Sequence, residues 1–120
     1  MILHVFIPDG PFAAHSHYLK VRERASYEFA LVSVAACLEL TGANRTVRSA
    51  RIVLGGVAYK LWRVTAAEDV LLDHPLTPER IARAGAAAIQ SAEPRPDTAF
   101  KVPLTERAVI RALTILGGKA

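Results

Sequence analysis

At 120 residues the chain is long enough to bury one real core and too short for two ordinary domains. An apolar fraction of 52% excludes a disordered tail, yet no uncharged apolar run has the length that a bilayer helix needs. The formal charge of +4 invites an anionic partner, nucleic acid included, but the cations are spread along the chain and do not compel one.

The opening "MILHVFIPDG" has neither the basic leader nor the small-residue cleavage site of a signal peptide. Cys37, the single cysteine, cannot form an internal disulfide, so the cytoplasm is the expected compartment. Residues 2–7, "ILHVFI", read as a first strand closed by the turn chemistry of "PDGP". From Phe29 to Leu40 the pattern has period two: Ala30, Val32, Val34, Ala36, Leu38 and Leu40 form a continuous apolar face, with Ser33 and Glu39 on the other. "TGANR" supplies a turn, and "TVRSARIVLGGVA" alternates again, placing Arg48 and Arg51 on opposite faces; the two runs make an antiparallel hairpin.

The chain changes character at Val64. Thr65, with Glu68 three residues on, is a capping box that starts a short helix to about Leu72. Thr77 and Pro78 begin a second helix as N-cap and first helical residue, and Ile81, Ala84, Gly85, Ala88 and Ile89 give it a narrow stripe of small residues that implies close packing. "EPRPD" breaks the chain. After Pro103 a last helix turns Val109, Ala112, Leu113 and Leu116 inward and Arg107 and Arg111 outward, until Gly117 and Gly118 release it. Strands first and helices after predict an α+β fold, an antiparallel sheet with helices on one face.

Several residues carry candidate chemistry. Lys20, Arg22 and Arg24, with Glu23 among them, form a basic lip before the long apolar strand; the bland reading is a solvated edge whose charges deter aggregation. His15 and His17 lack the further ligands of a zinc site and read as a surface loop. Mid-strand Cys37 reads as a small hydrophobe, and "LGGVA" at 54–58 as a strand-end bulge or close backbone approach, because six residues, "YKLWRV", separate it from the next helix. Trp62 between Lys60 and Arg63 suits base stacking or an interface anchor, with packing over the first helix the plainer reading. The odd face of the second strand, with Phe29, Leu31, Ala35 and Cys37, is apolar enough to want cover, which leaves self-association open.

Taken together, "YLKVRERASYEFALVSVAACLEL", "VRSARIVLGGVAYKLWRVTAAE" and "FKVPLTERAVIRAL" resemble, in that order, the C-terminal domain of the FAD-binding subunit of molybdenum hydroxylases, the xanthine dehydrogenase, aldehyde oxidoreductase and carbon monoxide dehydrogenase flavoprotein family. The resemblance covers nearly the whole chain and implies three or four antiparallel strands packed on about three helices. It also implies a single domain over residues 1–120, working beside a nucleotide-binding flavin domain and iron-sulfur and molybdenum subunits, and passing electrons from FAD to an acceptor such as NAD. Lys20 matches a family lysine beside the flavin, and Arg24 falls in the loop that flanks the cofactor. Leu61 stands where many relatives have proline in "KPWR". The family's glycine-rich pyrophosphate motifs are absent from these 120 residues, so no turnover is expected of this chain in isolation. A standalone nucleic-acid module and a self-associating structural domain, a homodimer for instance, are the competing readings.

Overall fold

Sheet pairing begins at β1, Ser16–Val21, in the computed structural model, which describes residues 1–12, 14–25 and 27–118. Residues 2–7, expected as the first strand, form none, and Ile2, Leu3, Val5, Phe6 and Ile7 are exposed. A strand needs a partner for its amides, and the place beside the second strand belongs to β1. β1 carries its own signal, with half-buried His17, Leu19 and Val21 alternating with exposed Ser16, Tyr18 and Lys20.

β2 (Val32–Thr41), β3 (Thr46–Gly55) and β4 (Trp62–Arg63) complete an antiparallel sheet of order β1-β2-β3-β4. Val32, Val34, Ala36 and Leu38 all lie on one face and are fully buried, as the period-two pattern predicts. Phe29 and Leu31 fall in the preceding loop instead of on the strand. A bulge breaks the alternation of β3: Glu39 pairs with Ser49 and Leu40 with Val47, leaving Arg48 as the extra residue. Arg48 and Arg51, expected on opposite faces, are therefore both exposed on the outer side.

Three helices cover the inner face: α1 (Thr65–Leu71), α2 (Pro78–Ala88) and α3 (Lys101–Gly118). Their buried residues form one core with the sheet, centred on Leu38, Ile52, Leu71, Leu113 and Leu116. α1 does not use the expected capping box. Its N-cap is Val64, Thr65 is already helical, and Glu68 turns into the core. α2 starts as expected, with the Thr77 hydroxyl accepting from Arg80 N–H at 3.3 Å and Pro78 at the first position. The Glu79 carboxyl is held below the usual range by its own backbone N–H and by the Thr77 hydroxyl, an anion well placed at a helix start. α3 begins two residues before Pro103, which is tolerated because first-turn N–H groups have no intrahelical partner to lose.

At its other end α3 is tied to the turn side of the sheet. His15 Nε2 lies 3.1 Å from Leu116 O, and the Arg45 guanidinium donates to Gly117 O, satisfying carbonyls the helix leaves unpaired. His15 and His17, expected in a surface loop, thus serve structure: one contacts the α3 terminus and the other sits on the inward side of β1.

The α2–α3 contact is tightest at Gly85, where an added Cβ would stand 2.6 Å from Ile110 Cγ1 and 3.3 Å from Glu106 O. Replacing a mid-helix glycine with alanine ordinarily gains about 1 kcal/mol of helix propensity. Here overpacking of about 1–3 kcal/mol opposes it. Gly85→Ala is therefore expected to leave the urea midpoint unchanged or lower, never raised, whereas Ala86→Gly on the exposed side of α2 lowers it by propensity alone.

Candidate functional site

The β1–β2 loop, residues 22–31, and the β3–β4 loop, residues 56–61, leave the sheet at the same end. Leu31 N–H closes the first loop on Val21 O at 2.8 Å. Within it, Arg24 N–H donates to Glu28 Oε2 at 2.9 Å and Arg24 Nη2 to Tyr27 O at 3.0 Å. Tyr27 itself has φ 57°, a left-handed conformation uncommon for a bulky residue and of the kind held at functional loops. The two loops meet at Gly56, whose φ is +77° and whose missing Cβ would stand 2.8 Å from Leu31 O. Lys101, at the start of α3, donates from Nζ to Gly56 O at 2.9 Å and fixes the second loop to the helix layer.

This end gathers exposed aromatic and basic groups. Tyr27, Phe29 and Tyr59 are at least 94% exposed, and Trp62 is 43% exposed. Lys20, Arg22, Arg24 and Lys60 are exposed around them. Lys20 stands opposite Ser33 near the end of β1, on the outward-facing register of the sheet. Trp62 does not pack over α1. It lines a cleft of about 590 Å³ with Val57, Ile89, Lys101 and Val102.

The Lys60–Trp62–Arg63 group is not free to act as one basic-aromatic patch. Arg63 is committed to Glu68, with Nη2 donating to Oε2 at 2.8 Å and Nε to Oε1 at 3.0 Å, while Lys60 lies over the Tyr59 ring at 5.9 Å. The Glu68 carboxylate raises the Arg63 guanidinium still further above its usual range, first by hydrogen bonding and then by charge. Motif reasoning gave Glu68 a capping-box role and missed this one, although Val64, Ala67, Glu68 and Leu71 form one buried stripe at helical spacing with a carboxylate in it. Cys37 is half-buried on β2, and burial pushes its thiol up, which reduces its thiolate at neutral pH. Among the described residues no three of His, Cys, Asp and Glu cluster as a metal site would require.

An antiparallel four-stranded sheet under three helices, with two strand-end loops locked together beside a basic lip, defines the class: an α+β domain built to present one end. Residues 17–116 match the CO dehydrogenase flavoprotein C-terminal domain, and the chain belongs to that family. It is 38% identical over 118 residues to the aldehyde oxidoreductase FAD-binding subunit PaoB of Escherichia coli (strain K12), covering 94% of this chain and 31% of that subunit. Among solved structures, carbon monoxide dehydrogenase from Hydrogenophaga pseudoflava lacking the Mo-pyranopterin moiety is similar at TM-score 0.79 and 30% identity, over 91% of this chain and 39% of the matched chain. Quinoline 2-oxidoreductase from Pseudomonas putida 86 is similar at TM-score 0.78 and 25% identity, over 88% of this chain and 38% of that one. The chain thus spans less than two fifths of each relative's matched chain.

The loop contact at Gly56 gives a direct test of how this end is built. Gly56→Ala must both adopt positive φ and push against the Leu31 carbonyl, so a loss of about 1–3 kcal/mol is expected in chemical denaturation. Gly42→Ala, at φ +70° with nothing within 4 Å of the added Cβ, carries the conformational part alone and should cost less.

Proposed function

We propose that this domain covers one side of FAD in the FAD-binding subunit of a molybdenum hydroxylase and tunes the charge around the flavin during electron transfer to an acceptor. The reading is carried by one observation: the exposed aromatic and basic groups of a flavoprotein C-terminal domain lie together on two loops held in backbone contact.

The donor set suits part of FAD. Flat exposed side chains such as Tyr27 and Phe29 match an aromatic ring system, and Lys20 and Arg24 match negative charge. No glycine-rich phosphate-binding turn between strand and helix accompanies them, so the pyrophosphate would be held by a nucleotide-binding flavin domain. Bound FAD supplies the redox chemistry, accepting and releasing electrons. The domain's own part is positional and electrostatic. The Lys20 ammonium, on the strand side of the lip, would favour an anionic reduced ring or attract an anionic acceptor such as a nicotinamide dinucleotide. Arg24 uses one guanidinium nitrogen on Tyr27 O, which fixes the loop conformation and leaves its remaining N–H groups for the cofactor side.

In this reading the chain works in the cytoplasm within an assembly that includes iron-sulfur and molybdenum subunits and does not turn over by itself. Nucleic-acid binding is not favoured, since Arg63 is bound to Glu68 and Lys60 lies over the Tyr59 ring.

Lys20→Met in the complete FAD-binding subunit keeps the aliphatic stem and removes the charge. The expected outcome is an unchanged melting temperature and FAD content with a lowered flavin reduction potential and an altered rate of acceptor reduction. Parent values for potential and rate would make the lip ordinary solvated surface and refute the assignment of Lys20.

A further inference from the structure

Lys101 starts α3 half-buried, and its Nζ donates to a backbone carbonyl, Gly56 O, at 2.9 Å. An ammonium carries three N–H donors, so two are left for other partners. Neither ion pair among the described residues, Arg48–Glu39 or Arg63–Glu68, involves it. A cation partly withdrawn from water with no carboxylate beside it favours an anionic ligand.

The cleft that Lys101 lines, about 590 Å³, falls within the range of about 300–1,000 Å³ that takes small molecules. Three segments wall it: the 56–61 loop with Trp62, the stretch from Ala88 to Thr98, and the first turns of α3. Buried Leu54 and Ala88 make its base apolar, and Val57, Ile89 and Val102 continue that lining outward. The partly exposed Trp62 indole adds a flat aromatic surface. One polar group lies deep. Thr105 is buried, and its hydroxyl donates to Lys101 O at 2.7 Å, so it has only lone pairs to offer. A carboxylate is repelled there and attracted at the Lys101 ammonium, which sets the direction in which a ligand enters.

Charge decides the class of ligand. Lys101 and Glu93 are the two charged side chains lining the cleft, one of each sign. The site therefore suits a single negative charge, and the further charge of a phosphate or a nucleotide would meet Glu93.

We infer that this cleft binds a small planar aromatic carboxylate, its ring against Trp62 and the apolar base and its carboxylate on the spare N–H groups of Lys101. None of Lys20, Arg24, Tyr27 and Phe29 lines the cleft, so the inference does not rest on the flavin reading. Occupancy still reaches the presented end of the sheet, because Lys101 also holds Gly56 O and Gly56 lies against the Leu31 backbone.

Trp62 is the only tryptophan of the chain, so its emission reports on the cleft directly. The test titrates the full chain with cinnamate, with cinnamamide as the uncharged analogue and with phenyl phosphate, and backbone NMR maps the site. Expected are a saturable change in Trp62 emission with cinnamate and shifts at Val57, Ile89 and Val102. Affinity should fall about tenfold or more for cinnamamide and for the Lys101→Met variant, while Lys101→Arg retains most of it. Ala92→Phe, at an exposed position on the cleft wall, fills the space without touching Lys101 and should weaken binding to a similar extent; it decides the matter should Lys101→Met not fold. No saturable response, equal affinity for the amide, or parent affinity in either folded variant overturns the inference. So does tighter binding of phenyl phosphate, which would mark a phosphate site instead.

Discussion

A single buried carboxylate locks the junction where the sheet passes into the helices, within the core the two share. Glu68 is 3% exposed, and its Oε1 accepts from Ile52 N–H at 2.9 Å while both oxygens accept from the Arg63 guanidinium. β4 is only two residues long, so beyond Arg63 the β3 edge loses its strand partner. Ile52 would then present a buried amide with no acceptor, a cost of about 1–3 kcal/mol. The carboxylate of α1 stands in for the missing strand, and Arg63 supplies the charge that lets it be buried. One residue thereby fixes the end of β4, the start of α1 and the middle of β3.

The loop-bearing end of the sheet meets that junction through the 56–61 loop, which runs from β3 to β4. Gly56 reaches the backbone of Leu31 because Gly55 pairs with Ser33, the 56–61 loop then returns to β4 and the Arg63–Glu68 junction, and Lys101 secures the loop from the helix side. The 22–31 loop, braced internally by Arg24 and Glu28, then has a fixed neighbour instead of open solvent. The exposed rings of Tyr27, Phe29 and Tyr59 are thereby gathered in one region of the surface. The α3 cap by Arg45 and His15 secures the opposite end, so the helix carrying Arg107 and Arg111 is fixed at both termini.

Much of this architecture was legible in the residues. The alternation of Val32, Val34, Ala36 and Leu38 needs no tertiary information, since a period of two on one buried face has one explanation, and the Thr77–Pro78 helix start is equally local. The errors lie where a distant partner decided. "ILHVFI" has strand composition, but pairing is not a property of composition, and the less apolar "SHYLKV" holds the place beside β2. The bulge at Arg48 inverts the parity of Thr46 and Val47 relative to the rest of the strand, and nothing in "TVRSAR" announces it. Thr65 and Glu68 have capping-box spacing, yet Ile52 and Arg63 offer the carboxylate stronger hydrogen bonds than the Thr65 end of the helix does. The candidate cofactor residues Lys20 and Arg24 came from family likeness; from pattern alone they were cations at a strand end, and the docked loops around them became visible only in three dimensions.

The account turns on Glu68, and amide hydrogen exchange combined with urea unfolding of Glu68→Ala addresses it most directly. The variant is predicted to lose about 2 kcal/mol, because an amide and a guanidinium lose their shared acceptor. Ile52 and the neighbouring residues 62–68 should then exchange through a local opening, while Val34 and Leu38 in β2 stay protected until global unfolding. Parent stability together with unchanged protection at Ile52 would contradict the claim that this carboxylate locks β3, β4 and α1 together.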